Sequence, residues 1–172
     1  MFVQVIVDIP AAQVNRTFDY LVPEELVPLI QLGIRVQVPF GTRQLLAFVV
    51  GISDRSEFAG KLKPISAVMD YESFINEELL ELSQVLATQL NAFRITLLQA
   101  MLPSMLRVKY TTKFRVHQLA PLQATWELAP ETIYLAVEEV EQRFSRKQIK
   151  QWLSQGVLEL LYEVEEDRKS VV

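Results

Sequence analysis

The 172-residue sequence has no cysteine, which excludes disulfides, thiolate metal sites and cysteine nucleophiles. It has one histidine, His117. A histidine-based metal cluster is therefore excluded, and a His-dependent triad has a single candidate base. Long apolar runs are also missing. The longest, Leu45–Ile52, falls far short of the roughly 20 residues that cross a bilayer. The first residues lack the basic, apolar and small-residue sections of a secretory signal. No GxxxxGKS/T phosphate loop, GxGxxG, GxSxG or HExxH occurs, so ATP hydrolysis has no recognisable cradle. These absences predict a soluble, intracellular chain with no ATPase of its own.

What is present is enough apolar material for real cores. Half of the residues are hydrophobic and 22% are charged, which rules out disorder as the main state. The length suits one large domain or two small ones. The net charge of −4 argues against broad electrostatic coating of a nucleic acid, but its distribution leaves room for a focused site. Acidic residues concentrate after residue 117, whereas Arg94 to Arg115 holds five basic residues and no acidic one.

Four of the five glycines (33, 41, 51 and 60) lie in the first seventy residues, where five short apolar segments read as strands: 2–9, 17–22, 35–38, 45–53 and 65–69. In the third, Val36 and Val38 face one way and Arg35 and Gln37 the other. The fourth is apolar enough for a strand buried on both sides. Five strands punctuated by glycine and proline predict a small barrel-like unit. From residue 71 the period changes. Asn76 caps a helix with Glu77 and Glu78 in its first turn, followed by Leu79, Leu82, Leu86, Leu90 and Phe93. A second helix over 96–101 stops at Pro103. Residues 107–130 read as a linker and lead-in. A helix is predicted over 131–143, with Ile133, Val137 and Val140 as its apolar line. Ser145 and Gln148 then form a capping box, followed by a helix carrying Ile149, Trp152 and Leu153, by Gly156, and by a strand over 157–164. That order is the order of a winged helix.

The predicted fold class is thus α+β. A five-stranded barrel-like domain with a helical appendage (1–106; barrel 1–70, helices 71–106) precedes a linker (107–130) and a winged-helix domain (131–172).

Three segments carry a resemblance. RTFDYLVPE at 16–24, GIRVQVPFGTRQ at 33–44 and KLKPISAVMD at 61–70 resemble, in order and spacing, the start of the primosomal protein N′ (PriA) family of bacterial replication-restart helicases. The resemblance is strong over 1–70, weaker over 71–106, and beyond that rests on the winged-helix pattern. Family members carry tyrosines after the first helix, where this chain has Leu90-Asn91.

The resemblance implies that the chain is the N-terminal part of a longer, cytoplasmic, nucleoid-associated protein. It implies recognition of the 3′ end of the leading strand at fork-like DNA, independent of sequence. The expected partners are DNA with a 3′ end or fork, other primosome proteins and single-stranded-DNA-binding protein, and no membrane. No cofactor is expected in this chain; ATP, magnesium and zinc belong to later parts of the family.

Carried over, the pocket for the 3′-terminal nucleotide falls on Asp19, Tyr20, Gly41 and Lys63. Their chemistry suits that use. An ionised aspartate only accepts hydrogen bonds, so it selects a terminal hydroxyl and repels a 3′-phosphate. A lysine is a point charge for a phosphodiester. An aromatic ring stacks on any base, and a glycine lets backbone approach closely.

Each has a plainer rival. Asp19 at a strand end satisfies backbone N–H groups, Phe18 and Tyr20 on one strand face are core, Gly41 is a turn residue, Lys63 is a solvated surface charge, and His117 is structural or exposed. Strict alternation aims Asp19 away from Tyr20, so the strand bends or Tyr20 contributes backbone. Arg143, Arg146, Lys147 and Lys150 are candidate DNA contacts of the winged helix. Acidic residues on either side of them, five between Glu159 and Asp167, fit a protein-docking domain equally. Docking of replication proteins or of a helicase core is the alternative function, and a small hydrolase using Asp19 and Lys63 is a third.

Overall fold

A computed structural model of the chain describes residues 1–56, 60–103 and 110–164. The chain divides into two compact units, Met1–Pro103 and Ser104–Val172.

The first unit is built on one antiparallel sheet. Its strands are β1 (Phe2–Val7), β2 (Phe18–Leu21), β3 (Arg35–Phe40), β4 (Arg43–Ser53) and β5 (Ala67–Val68), in the order β2-β1-β4-β3-β5. Valines and one alanine alternate into its core: Val5 and Val7 from β1, Val36 and Val38 from β3, Ala47 and Val49 from β4. The neighbours of these residues, Ile6 and Phe48, are also buried but lie outside that cluster, on the opposite sheet face. β1 and β4 are thus covered on both sides, which accounts for the continuous apolar run in β4. Helices α1 (Glu77–Gln89) and α2 (Arg94–Met101) complete the unit. Asn76 caps α1 by accepting from the Leu79 N–H at 3.0 Å.

One expectation for this unit is corrected. The five strands form a sheet with two edges, β2 and β5, not a closed barrel. A parallel bridge, Leu21 to Pro64, joins the segment before β5 to β2. Arg35 lies on the face opposite Val36 and Val38. It is buried, and its guanidinium grips Asp70 through two bonds of 2.8 and 2.6 Å. The paired geometry satisfies both charges and ties β3 to the chain beyond β5; removing one partner from such a pair costs about 3–5 kcal/mol.

The second unit has strands β6 (Tyr110–Val116), β7 (Tyr134–Ala136) and β8 (Leu158–Val164), and helices α3 (Ala120–Gln123), α4 (Val137–Arg143) and α5 (Arg146–Ser154). Its sheet order is β7-β6-β8. The described part of the expected linker therefore carries β6 and α3, with β6 as the central strand. The helix expected over 131–143 begins only at Val137. Residues 134–136 pair with β6 because they alternate, with Leu135 buried between exposed Tyr134 and Ala136. Ile133, expected on a helical apolar line, is exposed. α5 follows its predicted capping, with Ser145 Oγ accepting from the Gln148 N–H at 3.3 Å. Its Trp152 packs edge-on to Phe144, ring centroids 4.8 Å apart. Among the described residues no helix is long and apolar enough to cross a membrane.

Candidate functional site

Three separate stretches of the first unit meet around a cavity of about 440 Å3: Arg16–Tyr20, Pro39–Gly41 and Lys61–Lys63. Two backbone devices bring them together. The third stretch lies along the free edge of β2, where Leu21 N–H donates to the Lys63 carbonyl at 3.0 Å and Ile65 N–H to the Leu21 carbonyl at 3.0 Å. The β3–β4 turn is held over β2 by Tyr20, whose hydroxyl donates to the Pro39 carbonyl at 3.1 Å.

The four sequence-predicted residues, Asp19, Tyr20, Gly41 and Lys63, all line this cavity. Asp19 is half-buried. Its carboxylate accepts from Ser56 Oγ at 2.5 Å and, among the described residues, from no backbone N–H, so the strand-end reading does not hold. Tyr20 belongs to the core, 5% exposed, and burial raises its phenol pKa. Its ring presents no free face for stacking; it supports the turn instead.

Gly41 occupies the first central position of a two-residue hairpin turn at φ +61°. Thr42 has no positive φ, the pattern of a type II′ turn. A Cβ at Gly41 would meet nothing within 4 Å, so φ alone demands glycine, and the space before it is open. Lys63 is exposed, and its ammonium has no partner among the described residues.

Sequence reading missed the aromatic wall. Phe18 and Phe40 are half-buried, line the cavity, and meet edge-to-face with centroids 5.2 Å apart. The Arg16 guanidinium stands 4.9 Å from the Phe18 ring centre. Lys61, also exposed, is a third cation. With Arg16, Lys61 and Lys63 against Asp19, the lining carries two net positive charges. Phe18 and Phe40 were legible as neighbours of the predicted residues. That they share one wall depends on the hairpin folding over β2.

In the second unit, Arg143 lies 4.5 Å over the Trp126 ring, and Arg146 Nε pairs with Glu141 at 2.8 Å. Lys147 is exposed, and Lys150 is half-buried on the same helix. Glu163 and the acids beyond it fall outside the described side chains. A cluster not singled out in the sequence lies on one sheet face, where exposed Tyr134 has Lys113 Nζ 4.4 Å and the Arg115 guanidinium 5.7 Å from its ring centre. His117 is exposed, with Nε2 3.1 Å from Glu159. No group of three carboxylates or histidines among the described residues could hold a metal ion.

Comparison with known proteins adds two findings. Residues 4–103 match the family described as the 3′DNA-binding domain (3′BD) of PriA. The replication restart protein PriA of Bacillus subtilis (strain 168) is 34% identical over 165 residues, 95% of this chain and 20% of the relative. The chain thus spans about a fifth of that relative's length.

Proposed function

The chain belongs to the family of PriA 3′ DNA-binding domains, and from that membership we propose that its first unit receives the terminal nucleotide of a DNA strand that ends in a 3′-hydroxyl. The observation that carries this reading is the cavity itself, where one carboxylate stands among three cations beside an aromatic wall.

Each group has a distinct task. Asp19 accepts a hydrogen bond from the 3′-hydroxyl of the terminal sugar, a donor that an internal nucleotide lacks. Lys61, Lys63 and Arg16 neutralise the adjacent phosphodiester without reading sequence. The Phe18 and Phe40 rings offer apolar contact to a base of any identity. Gly41 leaves the turn backbone open to the ligand. No bond breaks, and the proposal assigns the chain no catalysis and no cofactor. Unwinding and ATP turnover, with their ATP, magnesium and zinc, are proposed for the longer family members alone. Action at fork-like DNA during replication restart is part of the same proposal.

The second unit supports a winged-helix reading through its capped α5, the strand after Gly156 and the three-stranded sheet. Its role in that proposal is contact with a duplex arm of the fork, with Lys147 exposed on α5 for it. Arg143 and Arg146 hold Trp126 and Glu141. The rival reading has this unit dock replication proteins or a helicase core.

The decisive comparison is between two oligonucleotides that differ only in a 3′-hydroxyl or a 3′-phosphate, titrated into the chain and followed by fluorescence anisotropy. Tighter binding of the hydroxyl end by about tenfold or more is expected from a charge-assisted hydrogen bond replaced by like-charge contact. Equal affinities would refute the reading.

A further inference from the structure

A second cavity of about 720 Å3 shares a wall with the first, since Arg16 and Thr17 line both. Its remaining wall comes from Ile6 of β1, from the loop after β1, with Asn15, from α1, with Gln84, and from the α1–α2 junction, with Asn91 and Arg94. No acidic residue lines it.

Arg94 is unusual there. It is half-buried, and its guanidinium donates only to neutral oxygens, from Nε to Ser83 Oγ and from Nη2 to the Leu80 carbonyl, both at 3.0 Å. Among the described residues no carboxylate pairs with it. Burial lowers its pKa, and no acid opposes the shift. A guanidinium has five N–H donors, so capacity remains after these two bonds. A partly desolvated cation without a counter-charge favours an anion as neighbour. Its own backbone N–H donates to Asn15 Oδ1 at 3.2 Å, which ties the loop after β1 to the start of α2 and fixes the wall.

We propose that this cavity holds a phosphodiester of the same strand whose terminal nucleotide occupies the first, anchored by Arg94, with Arg16 on the wall between them. The inference rests on the terminal-nucleotide reading and extends it. Two adjoining cavities with a shared cationic residue and an acid-free second chamber match a polyanion that continues from one into the other.

The test uses the full chain with thymidine dinucleotide and hexanucleotide, each with a 3′-hydroxyl. The unsubstituted chain is expected to bind the hexanucleotide more tightly, with a slope of log K against log salt steeper by roughly 0.7 for each added phosphate contact. Arg94→Gln should lower hexanucleotide affinity about tenfold while dinucleotide affinity changes by less than about twofold. Gln84→Glu, at an exposed helix position, places a carboxylate in the second cavity without touching the bonds of Arg94 and should give the same pattern. It keeps the test open if Arg94→Gln loosens the helices. Hexanucleotide binding unchanged in folded Gln84→Glu and Arg94→Gln, or no gain with length in the unsubstituted chain, would overturn the proposal. Failure of the terminal reading shows separately, as equal binding of 3′-hydroxyl and 3′-phosphate dinucleotides, which involve only the first cavity.

Discussion

Asp19 carries the selectivity of the proposed site, and its surroundings make it a clean target. Among the described residues its carboxylate is held by one hydroxyl, Ser56 Oγ, and not by the backbone. Asp19→Asn keeps the size and one acceptor oxygen while removing the charge. The folded variant should bind a 3′-hydroxyl end more weakly by about 1.5–3 kcal/mol and tolerate a 3′-phosphate better than the unsubstituted chain. Unfolding of the domain, or an unaltered preference between the two ends, would place the pocket elsewhere. Tyr20 shows what residue types alone leave open. The resemblance carried by RTFDY put Tyr20 at the cavity but not its contacts. Alternation along β2 puts its ring in the core, and the hydroxyl is spent on Pro39, so in the proposed site apolar contact is assigned to Phe18 and Phe40.

Turns and strand ends show the same contrast between backbone and side-chain demands. Gly33 and Gly41 both have positive φ, +78° and +61°, yet their surroundings differ. A Cβ at Gly33 would lie 1.8 Å from the Ile75 carbonyl oxygen, whereas one at Gly41 would meet nothing within 4 Å. Gly41→Ala should therefore lose about 1–3 kcal/mol of stability, the cost of an alanine held at a positive φ that favours glycine, and Gly33→Ala more, because backbone must move as well. Urea denaturation of both variants would read the difference; equal losses would mean that the Gly33 wall yields freely.

Asp8, just past the end of β1, accepts from Gln99 Nε2 of α2 at 2.5 Å, and burial raises its pKa above the usual 3.8. A carboxyl whose pKa is higher in the fold opposes folding once ionised. That penalty is absent below about pH 4, where both states are protonated, and complete above the folded pKa. Asp8→Asn, which keeps the acceptor for Gln99, should be more stable than the unsubstituted chain at about pH 7. The gap should close as pH falls through the raised folded pKa toward 3.8. A gap that is constant with pH would assign the effect to packing instead.

For the whole molecule, the two units set where the chain can be divided. A cut near residue 121, inside what the sequence presents as linker and lead-in, would leave β6 without β7 and β8, its partners in the second sheet. A cut after Pro103 follows the compact boundary. Residues 1–103 alone should fold, unfold cooperatively, and keep the preference for a 3′-hydroxyl end, with weaker binding of a forked duplex if the second unit touches an arm. Unchanged fork affinity after truncation would favour a protein-docking role for that unit.

The sequence by itself determined the elements whose signals are local. The alternation of β1 to β4, the Asn76 and Ser145 caps, the stop at Pro103 and the glycine turn at residue 41 all follow from neighbours within a few positions. The residue types of the candidate site were legible in the same way, as three short segments with an acid, a lysine and a turn glycine. The tertiary structure decided what depends on distant partners. A helical pattern over 131–136 gave way at 134–136 to a strand because β6 offered an edge to pair with. Arg35, polar by type, went inside because Asp70, thirty-five positions away, arrived to neutralise it. The sheet kept two edges because, among the described residues, one bridge, Leu21 to Pro64, joins β2 to the segment before β5. That same bridge sets the lysine segment beside Asp19, and Arg16 joins the two cavities only because the α1–α2 junction comes to rest near the loop after β1. Long-range pairing is set by which surfaces are left to bury, and no local pattern in the chain encodes that.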